Sequence, residues 1–594
     1  MVTTAGVFRT NNGGSTWTNT LPNTCQDIEV KPGDANTMYV TADSLMWRSV
    51  DAGLTWTNPF MLPGASRMAI AVSPSTPNDV YLLAGPSTGV GSFKGFWRST
   101  NSGQSFTLKT STPNILGSQT NGYANGDQAT YDLALAVSPT NGERILTGGI
   151  ITWLSQNGGT SFTWNTHWYL PGMPPGPEYI HCDIHDIAFN PLNGHVYCAT
   201  DGGLAKSTNA GATWGPLYQG LNTAMFYRIA DHDPDPGLFI GGTQDNGSNK
   251  LSGGNPIMTH MTGADGMDCM IDHSNPNIIY YTWQNGTLHR SNDGGTQNQQ
   301  SPLNPGPGPW VTPLAMDPVT PTTLYGGWLP QGSAWYKLYK STNSGLAWTQ
   351  LAPFCSEDIA ICRSDPQRIY TTAMNLVSTS ADGGATWLTY YNGYSNILPQ
   401  VINTGLAVNP QDPMEVYVTV AGYLAGQKVY RSTNAGATWT NITGTLPNIS
   451  VNCIAYDGSG INSEDQLYLG TDVGMFYRDN TLGGWVPYNV NLPAVRVEDI
   501  ELNDVDGSIA IGTFGRGIWR SELYRCLNTL SLSGNAPAGV SLKSAGTIVS
   551  NATITAGGTQ EVFYKGGHTI ELNPPFKVLN NSKFNAVIDG CGDN

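Results

Sequence analysis

Charge is scarce in this chain: 12% of its 594 residues are Asp, Glu, Lys or Arg, with 27 basic against 43 acidic side chains. The formal charge of −16 repels phosphate backbones and no run of Lys or Arg offsets it, which argues against nucleic acid and leaves neutral polymers and cations as partners. No apolar run approaches the roughly 20 residues of a membrane-spanning helix. Met1 opens directly on MVTTAGVFRTNNGG, without the basic and apolar regions of a signal peptide, so the native N-terminus is expected to be missing or processed. The nine cysteines contain no CxxC pair, against a zinc ribbon or redox motif, and their odd number leaves at least one unpaired within the chain. Cys526 and Cys591 bracket the C-terminal segment and are expected to bridge in an extracellular setting.

What the chain has in quantity is Gly, 71 residues of it, with abundant Ser, Thr and Asn, a composition of turns and strands and not of helices. It also has a repeat. The pattern Ser/Thr-x-Asp/Asn-x-Gly-x-Ser/Thr-Trp/Phe occurs as TNNGGSTW (10–17), SVDAGLTW (49–56), STNSGQSF (99–106), SQNGGTSF (155–162), STNAGATW (207–214 and 432–439), STNSGLAW (341–348) and SADGGATW (380–387). Degenerate copies sit near Ser291 and Asp479. Most copies follow a strand ending in an aromatic and a basic residue, such as MWRS or VYRS, itself preceded by a Pro/Asn turn and a Tyr-rich strand such as NPQDPMEVYVTV. Strand, turn, strand, hairpin, strand, turn, strand is one four-stranded propeller blade, and about 11–12 units are visible. The repeated turn is structural: Ser/Thr and Asp/Asn oxygens take backbone N–H groups, Gly supplies the positive φ, and the Trp buries against the blade.

The repeat resembles that of the Asp-box, or BNR-repeat, proteins: sialidases, tandem-propeller xyloglucanases and sortilin. The resemblance covers residues 1–525 and implies an all-β chain of two tandem propellers, with an internal boundary near 220–310, or else one ten-bladed ring. Residues 526–594 lack the repeat and read as a small C-terminal β module. Its GTIVSNATI and VFYKGGHTIELNPPFKV are similar to a module of secreted Bacteroidetes proteins exported by type IX secretion, which implies an extracellular or cell-surface location.

Because strand direction alternates, the repeated turn lies at one end of a blade, while second-to-third hairpins and blade crossovers lie at the other, where function belongs. Departures from the repeat fall at that other end. In YIHCDIHDIAF, His181, Asp183 and His185 alternate onto one face, either as ligands of a divalent metal ion or as a hydrogen-bonded network between blades. Acidic loops follow with Asp201, Asp245, Asp265 and Asp268, unless these are only Asp-Gly turns. Similarity to the tandem-propeller xyloglucanases implies a hairpin carboxylate on each propeller as acid and base of an inverting glycosidase. The matching positions are Asp201 in TDGG and Asp472 in TDVG, the second without the double Gly. FYRIA (226–230) resembles the sialidase F-R-I-P motif, but Ala230 stands for Pro and no arginine triad is evident. Loop aromatics Trp164, Trp168, Tyr169, Trp328, Trp335 and Tyr336 suit sugar rings or a protein partner, or else pack their loops down. The expectation is a binder of an extracellular polysaccharide; the alternatives are a glycoside hydrolase and an adhesive scaffold for a cell-surface protein.

Overall fold

The computed structural model describes residues 1–86, 93–119, 121–122, 128–168, 179–218, 220–253, 258–296, 303–391, 402–458, 465–480, 482–524, 529–532, 535–536, 541–544, 547–554, 561–566, 569–579 and 583–588. It separates into two units, Met1–Leu221 and Asn222–Asn594. The first holds five antiparallel sheets, one three-stranded and four four-stranded, each built from consecutive strands. The second holds seven such sheets and then a different module. In both units the first strands of successive sheets pack side by side, and in the second unit strand Val497–Asn503 of the last sheet packs on Phe226–Asp231 of the first. A backbone bridge between Met225 and Phe514 joins the same two sheets. The second unit is therefore a closed seven-bladed propeller, and the single ten-bladed ring is excluded.

Each blade satisfies its own backbone ladder, so cohesion between blades falls to side chains, and three devices recur. Tyrosines of the second strands are buried between blades, and the hydroxyls of two of them donate to the next blade: Tyr81 to the Gly142 carbonyl at 2.8 Å and Tyr370 to the Pro413 carbonyl at 2.7 Å. Burying each such ring is worth about 1.5–3 kcal/mol. The tryptophans of the repeated turns lean on the preceding blade, as when Trp56 Nε1 donates to Thr20 Oγ1 at 3.2 Å. Trp17 belongs to the first sheet, has no preceding blade among the described residues, and is 45% exposed.

The third device lies on the propeller axis. Asp358 accepts the N–H of its own neighbour Ile359 and, with its other oxygen, that of Leu406 in the next blade, both at 2.7 Å. Asp268 joins Cys269 to Leu314 in the same way, and Asp499 joins Ile500 to Ile229, the last blade to the first. In the first unit Asp27 joins Ile28 to Ile70. In the second unit Asp268, Asp358 and Asp499 line the channel around the guanidinium of Arg228, which donates to the carbonyls of Tyr227 and Glu498. The repeated turn has the geometry its residues dictate: Ser207 Oγ accepts Gly211 N–H at 2.8 Å, Asn209 Oδ1 accepts Thr213 N–H at 2.8 Å, and Gly211 has φ of 87°.

The C-terminal module is built on another plan. Its nine short strands form three parallel three-stranded sheets, each strand pairing with one a full coil later in sequence, as Thr529–Leu532 with Thr547–Ser550 and that with Thr569–Leu572. Tyr564 fills the interior against Phe576 and Phe584. Cys526 and Cys591 lie outside the described residues.

Two predictions follow from the axis. Asp358→Ala leaves two strand N–H groups, one in each of the two blades, without that acceptor and is expected to destabilise the second unit by about 2 kcal/mol or more; a urea midpoint within error of wild type would contradict the blade-joining role. The second concerns pH. Burial raises Asp358 to about 6 and Asp268 to about 7 even with Arg228 close by, and raises Glu29 in the first unit to about 7. A carboxyl whose folded pKa lies above its unfolded value of about 4 stabilises the fold fully below that pH and loses the contribution as pH rises through the folded pKa. Asp51 and Asp382, lowered to about 2 by hydrogen bonds in the repeated turns, weaken the fold only in stronger acid. The melting temperature is expected to be higher at pH 5 than at pH 8, and calorimetry showing the reverse would refute this balance.

Candidate functional site

The chain turns from strand Val196–Thr200 into Gly203–Ser207 through Asp201 and Gly202. Thr200 Oγ1 donates to the Gly203 carbonyl at 3.1 Å and accepts Gly202 N–H at 3.2 Å, which closes the turn and sets Asp201 at the end opposite the repeated turn, its side chain 5% exposed. His185 Nε2 lies 2.5 Å from Asp201 Oδ1, and Tyr131 donates its hydroxyl to Oδ2 at 2.9 Å while its ring meets the imidazole edge-on at 4.9 Å.

Asp183 lies beside this pair, its carboxylate within 4.8 Å of that of Asp201. Gln128 Nε2 donates to Asp183 Oδ1 at 2.7 Å and the Cys182 thiol to Oδ2 at 3.4 Å. Behind it stands Asp132, wholly buried, whose carboxyl is in hydrogen-bonding contact with that of Asp183. Apart from that contact and its own backbone N–H, no donor of the described residues reaches either Asp132 oxygen. Burial, and then the charge of Asp183, push Asp132 up to about 9; burial also raises Asp183. Exposed aromatic rings stand on the neighbouring segments. Tyr131, Trp168, Tyr179 and Tyr218 are each 38–47% exposed. Tyr218 packs on Gly203, and His167 beside Trp168 bridges to Tyr179.

In the second unit Asp472 occupies the same turn. Thr471 Oγ1 donates to the Gly474 carbonyl at 2.7 Å and accepts Val473 N–H at 3.3 Å. Asp472 accepts the hydroxyl of Tyr423 and, at 3.2 Å, the amide of Asn452, and Arg496 Nε lies 3.8 Å away. Arg496 also holds Glu498 at 2.7 Å. The missing second glycine has a local cause: a Cβ at Gly202 would stand 2.3 Å from the ring of His181, whereas Val473 is 44% exposed.

Other sequence candidates are placed differently. His181, Asp183 and His185 do not share a face, because Asp183 has φ of 61° and the strand begins only at Ile184, with a bulge before Asp186. No set formed by those three brings its ligand atoms within 4.8 Å; His185 is turned to Asp201 and His181 Nδ1 to the Cys182 carbonyl. Asp245 and Asp265 do meet, the Asp245 N–H donating to Asp265 Oδ1 at 2.7 Å. Asp268 does not join them: the bulge between Gly266 and Cys269 carries it to the axis. Trp328 is fully buried against Trp348 and Tyr339, its Nε1 on the Gly286 carbonyl, and offers no face to a ligand. Trp335 is 56% exposed, with Tyr336 beside it half-buried. Trp164 packs partly into the core of its blade, and Tyr169 lies outside the described residues. Sequence reading missed Asp132, Gln128, Tyr423 and Arg496. Asp132 sits just before a first strand in TYDLALAV, where its only signal is an acid placed against an apolar run.

No known family profile matches the chain. Part of it is 28% identical over 176 residues to a xyloglucanase of Hypocrea jecorina, a match that takes in 29% of this chain and 20% of that protein. The chain thus spans about a fifth of the relative it matches. Among solved structures it is similar to a GH74 enzyme of Niastella koreensis, 16% identical over 88% of both chains with a TM-score of 0.31. It is also similar to PorZ, a bacterial surface component of the type IX secretion system of Porphyromonas gingivalis, 14% identical over 87% of this chain and 71% of that one, with a TM-score of 0.45.

Gly202→Ala tests the local argument. It must displace His181 or the hairpin and is expected to cost about 1–3 kcal/mol in the first unit, while Val473→Ala in the matching turn changes stability by less than about 0.5 kcal/mol. Equal effects in thermal unfolding would show that His181 does not fix the glycine.

Proposed function

We propose that this is an extracellular or cell-surface propeller protein that binds a neutral polysaccharide of the β-glucan type at the blade ends opposite the repeated turns. The observation that carries the reading is the first-unit site, where Tyr131 and His185 hold the Asp201 carboxylate and the neighbouring segments carry the exposed rings of Tyr131, Trp168, Tyr179 and Tyr218. Sugar rings offer C–H faces to aromatic planes and hydroxyl donors to carboxylates, and both groups stand at this site. Exposed Trp335 in the second unit supplies a further platform. The acidic net charge suits an uncharged polymer better than an anionic one. The identity with a xyloglucanase supports the same class of ligand.

A second reading, inverting hydrolysis by Asp201 and Asp472, is favoured by one observation: both carboxylates sit in the same Thr-Asp-x-Gly turn and each accepts a tyrosine hydroxyl. Inversion needs two carboxyl groups roughly 6.5–9.5 Å apart with water between them.

Affinity electrophoresis through gels containing xyloglucan, mixed-linkage glucan or mannan tests the binding. Wild type is expected to be retarded by at least one of them. Trp168→Ala and Tyr131→Ala are each expected to weaken retention about tenfold, or 1.4 kcal/mol. Free migration in every gel would refute glycan binding and favour a protein-binding scaffold. Release of reducing ends that is lost in both Asp201→Asn and Asp472→Asn would establish the hydrolase, whereas retention without release leaves a binder.

A further inference from the structure

We propose that the last blade of the second unit is an open docking edge, which takes an extended peptide segment of a protein partner as its fourth strand and a tryptophan of that segment into the groove beside it. In the fifth blade (403–441) the chain leaves the third strand, Val429–Ser432, through the repeated turn and returns along it as Thr440–Asn441. In the last blade the third strand is Ile518–Glu522, its last three residues exposed, and no described strand pairs with its outer side. The chain turns inward instead. Leu523 N–H goes to the Gly507 carbonyl at 2.9 Å and Tyr524 N–H to the Tyr468 hydroxyl at 2.6 Å, while the Tyr524 ring stacks on that of Tyr477. An unpaired sheet edge is a template for one more strand.

The groove is the second observation. A cavity of about 300 Å³ lies between that strand and the sixth blade, lined by Met475, Tyr488, Leu492, Ile509, Ile511 and Trp519. The preceding joint shows what such a bed holds. There Ile442, Leu446, Leu467, Leu469 and Phe476 pack with Trp485, the turn tryptophan of the sixth blade, whose Nε1 donates to the Ile442 carbonyl at 2.9 Å. The two beds match by position. Tyr488 follows the outer strand Val486–Pro487 as Ile442 follows Thr440–Asn441, Leu492 precedes a proline as Leu446 does, and Ile509 and Ile511 stand before the same Gly-Thr pair as Leu467 and Leu469. After Glu522 the sequence has no repeated turn, so this blade brings no tryptophan of its own to the bed. Tyr488 closes one end of the groove by donating its hydroxyl to the Glu522 carbonyl.

The groove therefore continues the joint between the sixth and last blades, and the missing pieces are a strand and an indole. In strand addition, main-chain hydrogen bonds give affinity and a side-chain pocket gives specificity; an indole supplies a large apolar face and one N–H to place. The inference does not depend on glycan binding, because the groove shares no residue with the Asp201 site.

The probe is a fluorescein-labelled peptide of residues 432–443, STNAGATWTNIT, the segment that makes the turn and outer strand of the fifth blade. Titrated with the full chain, its anisotropy is expected to saturate with a Kd of about 0.1 mM or tighter. The same peptide with alanine in place of Trp439 is expected to bind at least tenfold more weakly. Val490 lines the groove and is 57% exposed, so Val490→Trp can fill it without disturbing the fold. This variant is expected to melt with wild type and to weaken the peptide at least tenfold, and Leu492→Trp should act in the same direction. Absence of saturable binding to wild type would overturn the proposal. Equal affinity in wild type and both variants would do so too, since the peptide would then sit elsewhere, and equal binding of the alanine peptide would remove the indole from it. N-acetyltryptophanamide binding as tightly as the peptide would leave a small-molecule pocket and refute strand addition.

Discussion

The hydrogen bonds that the axial carboxylates make across the joint between blades are what the rest of the structure depends on. A four-stranded antiparallel blade satisfies its own ladder and has little reason to hold its neighbour. Asp358 and its counterparts change that, because each gives one oxygen to its own strand and the other to the next. The same bond from Asp499 to Ile229 ties the last blade to the first, so a ring of seven sheets closes without a shared strand. Buried tyrosines and turn tryptophans then fill the spaces those bonds define.

With the axis and the repeated turns committed to holding blades in place, variation is tolerated where neither device reaches, at the second-to-third hairpins and crossovers. Asp201 and Asp472 show how little has to change there. Their turns share both threonine hydrogen bonds, yet one carboxylate faces His185 and the buried Asp132–Asp183 pair while the other faces Asn452 and Arg496. The turn supplies a place, and the crossover of the adjoining blade supplies the chemistry.

This division explains what could be read from the sequence. The repeated turn, the tyrosine strand and the end of the blade that carries Asp201 are local patterns, set by residues within a few positions of one another, and the structure has them. The partners of Asp201 and Asp183 are not local: Tyr131 and Gln128 arrive from a crossover far back in the chain. Strand alternation also misleads wherever the strand is broken. The left-handed conformation of Asp183 undoes the His181, Asp183 and His185 face, and a bulge turns Asp268 from its loop to the axis. Trp328 looked like a loop residue but ends a strand, and its indole is spent on Gly286. In the C-terminal module, short alternating strands read alike whether they pair as hairpins or as stacked coils, so the parallel arrangement had no sequence signal.

Aspartate does three different jobs here, and the number of donors around it separates them. In the repeated turn Asp382 accepts from Thr386 N–H, Thr386 Oγ1 and Ser380 Oγ in the open, and its carboxyl is drawn down to about 2. On the axis Asp358 accepts two backbone N–H groups but is buried, and desolvation outweighs them to leave it at about 6. At the free end Asp132 has only the Asp183 carboxyl and its own backbone N–H beside it and rises to about 9. The first arrangement fixes a turn, and the second joins two strands at the cost of holding charge near Arg228. The third does neither: a buried carboxyl stripped of donors gains the fold nothing, so its desolvation stands as a cost that the rest of the first unit must offset.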